Sequence, residues 1–172
     1  MKTTGCLVLA ALLCLGGTAL GQGGVPDLPN CQAWTAYEGD GIPTLCVYPD
    51  GGGPPFTQAQ LPDGTVVDCT VFLQIRDGND DPVAHYPRED LWLESFDGGL
   101  FHCNGGTIAD VDTDQSGTTY WSEPPEAGGF SESSTAVMVN GDSVWAEGLA
   151  LSFNSPDLTG DGIVSLHDVG TF

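Results

Sequence analysis

The chain has 172 residues, of which 24 are Asp or Glu and 3 are Lys or Arg, giving a formal charge of -21. That balance excludes recognition of nucleic acid or anionic lipid through a basic surface, because both need clustered cations facing the phosphates. Hydrophobic residues make up 40% of the chain, enough to bury a core, while 25 Gly and 12 Pro point to frequent turns rather than to low complexity.

At the N-terminus, Lys2 precedes an apolar run from Cys6 to Leu15 that is too short to span a bilayer. Ala19-Leu20-Gly21 then offers a small-x-small cleavage site. Residues 1–21 read as a secretory signal peptide cut before Gln22, and neither Cys6 nor Cys14 follows a good lipobox. The mature chain is therefore expected to be extracellular, with no membrane insertion. Cys31, Cys46, Cys69 and Cys103 remain, an even set in an oxidising compartment, which predicts two disulfides. Spacing leaves three connectivities open. Cys46 with Cys103 and Cys31 with Cys69 is the preferred set, because Cys69 falls on the apolar face of a strand and is placed to reach an opposite sheet. Zinc is disfavoured: no CxxC pair exists, and His85, His102 and His167 complete no ordinary ligand pair.

Beyond residue 22 the dominant period is two. Val67, Cys69, Val71, Leu73 and Ile75 alternate with Asp68, Thr70, Gln74 and Arg76, the pattern of a half-buried strand, with Phe72 as the exception on the polar side. Further strands are predicted over 31–38, 43–48, 82–86, 91–94, 107–110, 118–121, 134–139 and 144–153. Turn signals separate them, among them Asp63-Gly64, Asp97-Gly98-Gly99, Gly128-Gly129 and Asn140-Gly141. No amphipathic helix is evident before Asn154. Many short strands in about 130 residues predict an all-β fold, an antiparallel sandwich over 22–153.

The run TVVDCTVFLQIRDGNDDPVAHYP, followed by GGTIADVDTDQSGTTYW and AGGFSESSTAVMVNG, resembles the bacterial immunoglobulin-like domains of the invasin and intimin type over residues 65–153. One departure is that Asn79-Asp80-Asp81-Pro82 stands where those domains usually place a Gly in the first turn. The resemblance implies a structural or adhesive module and not an enzyme.

After a predicted linker at 154–156, the segment DLTGDGIVSLHD carries the sharpest chemical signal. Calcium needs several oxygens converging on one point, and a twelve-residue loop supplies them at positions 1, 3, 5, 7, 9 and 12 around a Gly at 6. Those positions are Asp157, Thr159, Asp161, Ile163 through its carbonyl, Ser165 and Asp168, with Gly162 sixth. Thr159 replaces the usual Asp or Asn, and Asp168 is shorter than the usual Glu. Ending in Asp and followed by Val169 and Phe172, the loop resembles a type I dockerin repeat, and 157–172 would be half of a dockerin. The resemblance implies calcium as cofactor and a cohesin-like or other extracellular protein as partner. Leu166 and His167 differ from the Ser-Thr pair common at positions 10 and 11, which help choose that partner. A second acidic run, 110–117, fails the same count, with Gln115 sixth and Trp121 twelfth.

Catalysis lacks a constellation: there is no G-x-S-x-G elbow, no HExxH and no pairing of acids by spacing. The alternative to attachment by protein contact is glycan binding through exposed rings, with Trp34, Tyr37, Trp92, Tyr120, Trp121 and Trp145 as candidates. Core packing competes at each of them, and two or more rings exposed together on one face would favour the glycan.

Overall fold

The computed structural model describes residues 24–169, so the predicted signal peptide and its cleavage site lie outside the described residues. The described chain is almost entirely β: twelve short strands, a few single 3-10 turns and one short helix. The strands are β1 (Gln32–Thr35), β2 (Thr44–Cys46), β3 (Ala59–Gln60), β4 (Val66–Val67), β5 (Val71–Gln74) and β6 (Leu91–Ser95). They continue as β7 (Leu100–His102), β8 (Thr118–Trp121), β9 (Ala127–Ser131), β10 (Thr135–Val139), β11 (Asp142–Ser143) and β12 (Ser152–Asn154), before helix α1 (Leu166–Val169). The all-β expectation therefore holds.

Three hydrogen-bonded sheets form, in the orders β1-β5-β8, β11-β10-β6 and β4-β3-β2-β12-β9-β7. Segment 107–110 joins the first two. It donates from Asp110 to the Tyr120 carbonyl on one side and from Ala109 to the Leu91 carbonyl on the other. The expectation of a strand there is corrected to a connector, since its only bridge is Ile108 to Trp92. The inward residues of all three sheets meet in one core that includes Leu45, Leu73, Leu93, Trp121, Val137 and Phe153. Strands β5 and β6 alternate buried and half-buried positions, as their period-two pattern requires.

Four other expectations change. The strand expected over 67–75 breaks at 68–70, because Asp68 Oδ1 accepts from both the backbone N–H and the hydroxyl of Thr70 and curls the chain out of the ladder. Segment 82–86 forms no strand: His85 takes φ +58°, a left-handed conformation that ends extended pairing. Of 144–153, only Ser152 and Phe153 join a ladder, as the start of β12, which runs parallel to β2, so the sheets are not wholly antiparallel. Gly128-Gly129, read as a turn, lies inside β9.

In segment 154–156, expected as a linker, Asn154 is exposed and Pro156 half-buried. Asn154 ends β12, Ser155 is buried, and the Ser155 hydroxyl accepts from the Asp157 N–H at 3.1 Å. The loop that follows thus leaves the sheet already anchored to it.

Candidate metal centre

The C-terminal loop is built around two carboxylates. Asp157 is 0% exposed and Asp168 is 2% exposed. Asp157 Oδ1 accepts from the N–H groups of Gly160 (2.9 Å) and Asp161 (3.3 Å), and its Oδ2 accepts from Gly162 (2.8 Å). Asp168 Oδ1 accepts from the Thr159 N–H at 3.1 Å, and Oδ2 accepts from Ser165 at 2.7 Å. Backbone N–H groups of Ser165 and Thr159 hold the Asp168 carboxyl below the usual carboxylate range. Gly162 has φ +84°, the left-handed backbone that the sixth loop position needs.

Thr159 links the two acids. Its hydroxyl lies 3.3 Å from Asp157 Oδ1 and 3.1 Å from Asp168 Oδ1. A hydroxyl has one proton, so it satisfies one carboxylate oxygen at a time. No ammonium or guanidinium helps: the two basic residues of the described chain, Arg76 and Arg88, pair with Asp80 and Glu89 far along the sequence. Two buried negative groups and a shared hydroxyl are the donor chemistry of a hard cation.

The six expected ligands are not all brought together. Asp157, Thr159 and Asp168 converge. Asp161 is exposed and its Oδ1 accepts from the Ile163 N–H at 2.9 Å, while the Ser165 hydroxyl accepts from the His167 N–H. Among the described residues no group of three or more His, Cys, Asp or Glu side chains is gathered to hold a metal ion.

What fastens the loop to the sheet was hidden in a turn signal. The Gly129 N–H donates to the Asp157 carbonyl at 2.6 Å. A Cβ on Gly128 would overlap Asp157 Oδ2 and lie 3.3 Å from the Gly160 Cα, and one on Gly160 would strike the Phe101 ring. The glycines of β9 and of the loop thus permit backbone to approach backbone. Between loop and sheet runs a groove of about 790 Å³, lined in part by Tyr48, Phe130, Leu158, Val164 and Val169.

The acids of the second acidic run are engaged by other partners. In 110–117, Asp110 Oδ2 accepts from the Ser122 N–H and hydroxyl, Asp112 Oδ1 from the Arg88 N–H, and Asp114 Oδ1 from Ser116 and Thr118.

Among the described residues the four cysteines, Cys31, Cys46, Cys69 and Cys103, are free thiols. The Cys31–Cys69 pairing is corrected by strand register. Gln32 faces Gln74, which puts Cys31 level with Ile75, six residues along the chain from Cys69. The extended stretch from Ile75 back to Val71 alone covers about 13 Å at about 3.3 Å per residue, and Cys69 lies past its end, beyond disulfide reach of Cys31. Cys103 Sγ donates to the Pro49 carbonyl at 3.5 Å, three residues on from Cys46. Burial pushes the Cys69 thiol up to about 12.

Of the candidate rings, Trp121 is core, its Nε1 donating to the Thr107 carbonyl. Trp92 donates to Glu94, and the Tyr37 hydroxyl to the Asp40 carbonyl. Trp34, Tyr120 and Trp145 are exposed.

No family model matches the sequence, and no curated protein matches it. Among solved structures, the chain is similar to the filamin domain of Lin-41, at 14% identity and a TM-score of 0.35, over 75% of this chain and 96% of that one.

Proposed function

We propose that this chain is a secreted, non-catalytic protein that binds calcium in its 157–168 loop and acts in extracellular attachment or assembly. The loop is carried on an immunoglobulin-like sandwich. The observation that supports calcium most directly is the buried Asp157 and Asp168 pair, which shares one hydroxyl and, among the described residues, forms no ion pair with Lys or Arg. Asp157, Thr159 and Asp168 would hold the ion, and Asp161 would join them by giving up its bond to the Ile163 N–H. The ion supplies positive charge that relieves the repulsion between carboxylates and orders the tail. A loop with three carboxylates and a closing Asp is expected to bind on the order of 10⁻⁴–10⁻³ M, the range of extracellular modules.

Within the loop and just after it, Ile163, Val164, Leu166 and Val169 are exposed. Apolar side chains gathered at a surface support contact with another protein, a cohesin-like or other extracellular partner. The test is limited proteolysis of chelator-stripped protein with and without millimolar calcium. Protection of the tail by calcium, lost in Asp161→Ala, is the expected result. Equal cleavage in both conditions would sink the calcium assignment.

A further inference from the structure

On the β1-β5-β8 sheet, one outward row is made of aromatic rings contributed by three separate strands. Trp34 is the register partner of Phe72, and Phe72 of Tyr120. Their sequence neighbours Ala33, Val71, Leu73, Thr119 and Trp121 are buried, so the period of two turns the three rings away from the core. Trp34 and Phe72 stack at 5.5 Å between centroids with 16° between planes, and Phe72 and Tyr120 meet at 6.5 Å and 54°. Trp34 is 40% exposed and Tyr120 is 37% exposed.

The adjoining row is chemically distinct. Gln32, Gln74 and Thr118 are also partners across the three strands, so two amides and a hydroxyl line up beside the rings. Neither row contains a carboxylate, although the chain carries 24 acidic residues. The charged groups at this end are turned to their neighbours: Arg76 Nε donates to Gln74 Oε1 at 3.2 Å and Nη1 to the Asp80 carbonyl at 2.7 Å, and Asp114 Oδ1 accepts from the N–H groups of Ser116 and Thr118.

Because β1 is an edge strand, Phe72 covers one face of Trp34, and among the described residues no second ring covers the other. Exposed apolar rings beside neutral donors and acceptors suit a ligand that is apolar on its faces, hydroxylated at its edges and uncharged. A pyranose ring has that make-up. The row spans two strand spacings, about 10 Å, enough for more than one sugar unit.

We propose that this sheet face binds a neutral polysaccharide. Sugar rings stack on the open side of Trp34 and on Tyr120, Phe72 holds Trp34 upright, and Gln32, Gln74 and Thr118 exchange hydrogen bonds with the hydroxyls. The site is independent of the 157–168 loop, which packs on β9 of the six-stranded sheet.

Native affinity electrophoresis tests it, with hydroxyethyl cellulose, xyloglucan and galactomannan as neutral probes and polygalacturonate as an anionic one. Retardation by at least one neutral polymer and none by polygalacturonate is expected. Trp34→Ala and Tyr120→Ala should each weaken retention about tenfold, as loss of one ring contact implies. Trp145→Ala removes a ring that is 42% exposed elsewhere and should leave retention unchanged. Melting curves confirm that each variant is folded, and Tyr120→Ala carries the test where Trp34→Ala does not fold. Calcium chelation should leave retention unchanged, which separates failure here from failure of the calcium reading. No retardation by any neutral polymer, or retention equal to wild type in the ring variants, would overturn the proposal. So would a dimer in sedimentation that Trp34→Ala dissolves, since a second copy would then be the occupant.

Discussion

Replacing Gly128 by Ala tests how the C-terminal loop is fixed to the sheet. The added methyl would overlap Asp157 Oδ2 and press on the Gly160 Cα at 3.3 Å. Asp157 is buried and its Oδ2 is already committed to the Gly162 N–H, so the carboxylate moves only by giving up that bond. Overpacking of this kind costs about 1–3 kcal/mol, which in a domain of this size corresponds to a fall in Tm of about 2–12 °C. Gly78→Ala is the matched control, because nothing lies within 4 Å of a Cβ there. Its effect is expected within about 0.5 kcal/mol of zero. Thermal melting reads the global cost, and hydrogen exchange at Gly160 and Gly162 reads the loop. If Gly128→Ala melts with Gly78→Ala and keeps the loop amides protected, the glycine does not serve the close approach and the account of β9 is wrong.

Two further outcomes follow from the acids and the thiols. Asp114 lies below the usual carboxylate range, first through the Ser116 hydroxyl and then through the Thr118 N–H. Its folded pKa is thus below its unfolded one, so its stabilisation is complete above about pH 4 and disappears as pH falls through the folded value. Wild type should melt above Asp114→Asn at pH 7, and the two curves should converge as pH falls through the folded value; a gap that persists at acid pH would refute the assignment. For the thiols, peptide mapping without reduction should reveal no Cys31–Cys69 link, and Cys69 should resist alkylation in the native state because its thiol is buried and its pKa is near 12. Rapid labelling of Cys69 before unfolding would contradict that burial.

Alternation of residue types was enough to locate the inward faces of β5 and β6, and residues 118–121 form β8 with the expected ends. Phe72 already stood out in the sequence as the lone apolar residue on a polar face. The convergence of Asp157, Thr159 and Asp168 in one loop was also legible, because a turn of twelve residues folds on itself and brings its own polar side chains together. Trp121 went the other way: in a row of candidate rings nothing local distinguished it, and it is 2% exposed.

Local pattern determined which residues are extended and which side of a strand is apolar, since both depend on neighbours one or two positions away. Only tertiary structure decided what stands beside what. Gly128 and Gly129 look like a turn until Asp157 is packed against them, when the missing side chains become room for a second backbone. Trp34, Phe72 and Tyr120 are separated by dozens of residues and become a row only through the register of three strands. The same register parts Cys31 from Cys69, because pairing across a sheet is set by hydrogen bonds to distant strands and not by spacing along the chain.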